Sequence, residues 1–184
     1  MNPFLLAVGK FWVPPPIRKL VLKRIITIVA SAGAWDPPLT RGLSEKHLRK
    51  QLALFSNARI GQALSFGGDL PTIENRLYLE SRKLGAEIRT RLNIRTEEEV
   101  FSVSQAMYKL LGIDMIIAEN REIIIPHCYF SGYFSPDICR VMGKIDAGFV
   151  AGLSGGGTLL FKYRITEGRE CCRAYLCFEE KGNE

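Results

Sequence analysis

The spacing of the apolar residues changes once along this chain, near Gly112. Before that point they recur every three or four residues; after it, short β-branched runs alternate with turns and one more helical segment. The switch excludes both a pure helical bundle and a pure β-sandwich. It predicts an α+β fold: helices followed by a mainly antiparallel sheet with one inserted helix. A chain of 184 residues is long enough to bury roughly 70% of its unfolded surface, so neither a metal nor a disulfide is needed merely to fold. With 47% hydrophobic and 24% charged residues, general disorder is excluded. No run reaches the roughly 18 apolar residues that a membrane span needs.

The helical half divides at a proline-rich break. Pro14-Pro15-Pro16 cannot continue a helix. The segment 17–30 that follows carries Ile17, Leu20, Val21, Ile25, Ile28 and Val29 at helical spacing, with Arg18, Lys19, Lys23 and Arg24 between them. Residues 1–40 are read as a basic amphipathic helical extension that oligomerises, packs on its own domain or touches an anionic membrane surface. Trp35-Asp36-Pro37-Pro38 forms the linker to the α+β domain at 41–184.

Three helices are predicted inside that domain before the switch. Residues 44–66 open on a partial capping box, Ser44 with His47, and face inward through Leu48, Leu52, Phe55 and Ile60. Residues 72–92 face inward through Leu77, Leu84, Ile88 and Leu92. Thr96 and Glu99 make a complete capping box for a helix with Val100, Val103, Met107 and Leu110 inward, stopped by Gly112.

Beyond Gly112, residues 114–118 and 122–126 read as a hairpin. Ser135-Pro136-Asp137 opens a helix that runs to about residue 153. Its glycines, Gly148 and Gly152, are expected to serve close helix–sheet packing. Residues 158–165 form a strand, with Leu160 and Lys162 on one face and Leu159, Phe161 and Tyr163 on the other, and residues 172–178 close the sheet.

Standard motifs are absent. No Walker A loop, dinucleotide-binding glycine fingerprint or Cys-x-x-Cys pair occurs. The net charge of +6 has no aromatic-interleaved basic stripe behind it, so a nucleic-acid partner is disfavoured. The apolar start at residues 3–8 is interrupted by Lys10 and lacks a preceding basic segment, which reads as no secretory signal and a reducing, cytoplasmic location, with a peripheral membrane position left open.

Five cysteines lie in the last third, and with them the residues that could carry chemistry. Cys139 falls in the first turn of the helix after Ser135, where the dipole stabilises a thiolate. Asp146 follows two turns later on the same face, as a base or a water-positioning group. His127 is the candidate proton-transfer partner, and Cys128, Cys172 and Glu167 are candidate substrate-binding residues. No cofactor is required by the sequence; a metal on the Cys and His residues is compatible with it. Cys171 and Cys172 are adjacent, so a strand directs them to opposite faces.

The spacing Cys128-x10-Cys139-x6-Asp146, followed by Gly168-x-x-x-Cys172, resembles the L-2-amino-thiazoline-4-carboxylic acid hydrolase-like family over residues 75–180. That resemblance implies a small hydrolase opening a cyclic C–N/C–S substrate, with Cys139 and Asp146 as the active pair. Glu167-Gly168-x-x-x-Cys172 is also similar to the end of four-vinyl-reductase-type domains, although the cysteine usual before the glycine is missing here. This second resemblance implies a non-catalytic module for an apolar or tetrapyrrole-like small molecule, of a kind found in tetrapyrrole metabolism, transcription regulators and trafficking-complex subunits. A homo-oligomer is compatible with either.

Overall fold

The computed structural model describes residues 13–178, and the fold is α+β as the sequence predicts. The apolar start at residues 3–8 lies outside the described residues. Five α-helices are described: α1 (Pro15–Ala32), α2 (Glu45–Ser65), α3 (Leu70–Leu92), α4 (Glu97–Leu111) and α5 (Pro136–Ser154). The strands are β1 (Ile113–Ile117), β2 (Glu122–Cys128), β3 (Thr158–Tyr163) and β4 (Cys172–Cys177), in the order β1-β2-β4-β3 and antiparallel throughout.

The helix ends are set by the residues that signal them. Thr96 Oγ1 accepts from the Glu99 N–H at 3.2 Å while Glu99 accepts from Thr96 N–H at 3.1 Å, a full capping box. The backbone N–H groups of Arg95 and Thr96, both donating to it, hold the Glu99 carboxyl below its ordinary range. Ser44 caps α2 by accepting from His47 N–H; the His47 ring answers at the Ser44 hydroxyl, 2.7 Å away, in place of the usual carboxylate. Gly112 and Gly155 take the left-handed conformation that ends α4 and α5.

Helix α5 is the hub. It packs against α3 on one side and faces β3 on the other, with α2 and α4 beside it. The α3–α5 crossing is very close. A methyl group on Gly85 would lie 2.2 Å from Phe149 O; on Gly148, 2.2 Å from Tyr78 O; on Gly152, 2.0 Å from Arg82 O. These glycines therefore serve helix–helix contact, not the helix–sheet contact expected from sequence. The same contact rewrites the inner face of α3. It runs Ile73, Leu77, Ser81, Gly85, a four-residue stride, while Leu84 and Ile88 are half-buried and Leu92 is exposed.

Helix α1 contributes Leu22, Ile25, Ile26, Ile28 and Val29 to the common core. It packs on α2 and α3, tied by the Arg24–Glu87 ion pair and by Arg76 donating to Ala32 O. Ile17 and Leu20, expected on its inner face, are 48% and 66% exposed.

Two irregularities in the sheet determine which residues reach α5. In the β1–β2 ladder Ile113 pairs with Cys128 and Asp114 with His127, but Ile116 pairs with Ile124. One extra residue on β2 opposes Met115, at Ile125-Pro126. A bulge there suits proline, which has no N–H for the ladder. The extra residue reverses the side-chain phase. His127 therefore shares the outer face with Asp114, and Cys128 turns inward with Ile113. The β3–β4 ladder does the same: Phe161 pairs with Ala174, but Tyr163 pairs with Arg173. Tyr163 consequently joins the outer face instead of the Leu159–Phe161 face, and Arg164 turns inward.

Candidate functional site

One face of α5 carries Cys139, Gly143 and Asp146, at the spacing of successive helical turns. Opposite them, the sheet presents what its two bulges deliver, Cys128 and Arg164, together with Cys172 at the start of β4. Tyr108 closes the group from α4. Cys171 precedes β4 and is half-buried, while Cys172 is buried, which settles which of the neighbours faces the core.

Arg164 is the centre of this group. Its guanidinium stacks on the Phe161 ring at 3.8 Å from the centroid, and Nη1 lies 4.0 Å from Cys139 Sγ. It lies across α5 at Gly143, where an added methyl would meet Nη2 at 2.8 Å and Nη1 at 3.1 Å. The absence of a side chain at residue 143 thus forms the seat of a cation between a thiol and a carboxylate.

Electrostatics follow from burial. Desolvation raises the Asp146 carboxyl to about 6, although the Arg164 charge and the Tyr108 hydroxyl that donates to it pull the other way. Asp146 retains intermediate accessibility as a residue even though its carboxyl is surrounded by protein. Tyr108 is pushed well above its ordinary range by burial and by the neighbouring Asp146. Burial also lifts the Cys128 thiol to about 12. Cys172 is raised for the same reason, with partial relief from the Ile165 N–H that donates to its sulfur at 3.3 Å. Cys128 and Cys172 are therefore neutral thiols at neutral pH.

Of the six residues expected from sequence, the structure brings Cys128, Cys139, Asp146 and Cys172 together. It does not bring His127 to them. That side chain is 67% exposed, with Nδ1 3.7 Å from Asp114 Oδ2 on the outer face. Glu167 stands at the rim. It accepts from Arg164 N–H at 3.0 Å and lies 3.6 Å from Arg140 Nε, so it steadies the turn that aims Arg164. Arg164, Tyr108 and Gly143 were not anticipated. Gly143 carried a signal, since it lies four residues after Cys139 and three before Asp146. Among the described residues no three His, Cys, Asp or Glu side chains gather in a group that could hold a metal ion.

No family model matches the sequence. No curated protein matches it either. Among solved structures, trafficking protein particle complex subunit 3 from Naegleria fowleri, covalently bound to palmitic acid, is similar over 72% of this chain and 97% of its own length, with a TM-score of 0.52 and 15% sequence identity. At that identity the likeness is one of fold.

Proposed function

We propose that this chain is a non-catalytic small-molecule-binding module that takes an apolar chain between α5 and the sheet, with the polar end of the ligand at Cys139, Arg164 and Asp146. The observation that carries this reading is the guanidinium seated over Gly143. A single fixed cation with a thiol on one side and a carboxyl on the other, walled by Phe161, Cys128 and Cys172, combines an apolar lining with few convergent polar groups. The similar trafficking-complex subunit holds palmitic acid covalently, which supports a long acyl chain as the ligand class. Neutral Cys128 and Cys172 suit an apolar wall, and Cys139, with the Arg164 charge beside its sulfur, is the thiol placed for attachment.

The hydrolase reading retains one supporting observation, the same Arg164–Cys139 contact, which places a donor beside a nucleophilic sulfur. It lacks a histidine beside that thiol, because His127 lies on the other face of the sheet. The two readings separate in one pair of assays on the full chain. Calorimetric titration with palmitate should show saturable binding with a negative heat-capacity change, weakened by Arg164→Gln. A 2-aminothiazoline substrate should show no turnover. Absence of palmitate binding, or ring opening abolished by Cys139→Ser, would replace the binding module with the hydrolase.

A further inference from the structure

The net charge of the whole chain is +6, and residues 13–50 alone carry eight Lys or Arg against two Asp or Glu, again +6. The remainder is close to neutral. This asymmetry is also concentrated in space. Arg18 at the start of α1 lies 3.4 Å from Glu45 at the start of α2, so the first turns of the two helices stand side by side at one end of the molecule. Glu45 is also bonded by Arg49. Lys19, Lys46 and Lys50 remain exposed there, with Lys23 half-buried.

The same end shows aliphatic side chains that the core does not use. Ile17 is 48% exposed and Leu20 66% exposed. Isolated exposed leucines are ordinary. Here, however, they are set among lysines with no carboxylate partner among the described residues, on a helix that has no acidic residue. A phosphate-backbone partner would use the lysines and leave the aliphatic groups in water. A protein partner would be expected to bury a broader apolar face. A bilayer of anionic lipid uses both: lysines reach the headgroups, and short aliphatic groups enter the interface. No described helix is long and apolar enough to cross a membrane, so the contact is peripheral.

We infer that the N-terminal turns of α1 and α2, through Ile17, Leu20, Lys19, Lys23, Lys46 and Lys50, form a docking surface for an anionic lipid bilayer. The surface is independent of the Arg164 site, since none of its residues touches that cluster.

Co-sedimentation of the full chain with vesicles tests it. Phosphatidylcholine vesicles containing about a third phosphatidylserine should bind the protein, and pure phosphatidylcholine should not. Binding should disappear at about 1 M salt, where charges are screened beyond roughly 3 Å. Lys19→Glu with Lys23→Glu should weaken binding at least about tenfold, and Leu20→Ser should weaken it with less change in salt dependence. Circular dichroism of these surface variants confirms that they are folded. Equal sedimentation with both vesicle types would overturn the inference, as would no sedimentation with either. So would tighter binding to a single-stranded oligonucleotide that the Leu20 variant leaves untouched.

Discussion

Replacing Gly143 with alanine isolates the seat of Arg164 from the stability of the fold. The added methyl would meet Nη2 at 2.8 Å, Nη1 at 3.1 Å and Cζ at 3.3 Å. All three atoms are at the end of a flexible side chain, so the clash is relieved when the guanidinium swings away. The cost is the loss of its position over the Phe161 ring, about 1 kcal/mol. Alanine in place of glycine in a helix interior returns about 1 kcal/mol. Stability to urea should therefore change by less than about 1 kcal/mol. Chemistry should change more. With the cation displaced, one of the two influences that lower Asp146 is gone, and its titration should move above the present value of about 6. Carbon-13 NMR of labelled aspartate reads this midpoint directly. Gly148→Ala is the control: there the methyl would lie 2.2 Å from the backbone carbonyl oxygen of Tyr78. A backbone cannot swing aside, so α3 and α5 must separate, at about 3 kcal/mol. For a chain of this size that is roughly 6–12 °C in Tm. If Gly143→Ala destabilises as much as Gly148→Ala and leaves the Asp146 midpoint unmoved, the guanidinium is not seated where this reasoning puts it.

Other outcomes follow from the same geometry. Asp146 is raised in the folded chain, so its contribution to stability is complete below the ordinary carboxylate value of 3.8 and is lost as pH rises through about 6. Its residual accessibility discounts the effect to on the order of 2 kcal/mol. Asp146→Asn should flatten the unfolding free energy across that window; an unchanged slope would show that Asp146 is not the titrating group. Tyr108→Phe removes the hydroxyl donor to Asp146 and should raise its midpoint again, with a stability loss of about 1 kcal/mol. Deleting Pro126 removes the extra residue of β2, so Ile125 should pair with Met115 in a regular ladder that keeps His127 outward opposite Asp114 and Cys128 inward opposite Ile113. Cys128 should then stay protected from alkylation in the folded protein, and rapid alkylation would contradict the bulge.

The helix boundaries were legible because each is written in a few adjacent residues: Ser44, Thr96 with Glu99, Gly112 and Ser135-Pro136 all do what their chemistry signals. The hairpins were legible from β-branched runs. The faces of the strands were not, because a single extra residue reverses every later side chain. Pro126 within a strand was the available warning for β2; Lys162 and Tyr163 give no comparable sign on β3. Cys139, Asp146, Cys128 and Cys172 were found as residue types at a spacing. Arg164 was missed because alternation alone directs it to solvent, and Tyr108 because it comes from a helix far from the cysteine-rich segment in sequence. The inner face of α3 was misjudged for a different reason: Ser81 and Gly85 are small, and close approach of two backbones selects small residues over the leucines that hydrophobic spacing favours.

The central claim is that Cys139, beside Arg164 at the α5–sheet seam, is where the polar end of an acyl ligand rests. The most direct test is to incubate the full chain with palmitoyl-coenzyme A and determine the intact mass and the modified peptide. Attack of the Cys139 sulfur on the thioester carbonyl would form a new thioester and release coenzyme A as its thiol, carrying the proton that Cys139 gives up. The account predicts one palmitoyl group per chain, located at Cys139, absent in Cys139→Ser and retained in Cys128→Ser and Cys172→Ser. Attachment at the exposed Cys177, or no attachment together with no binding of palmitate, would contradict it.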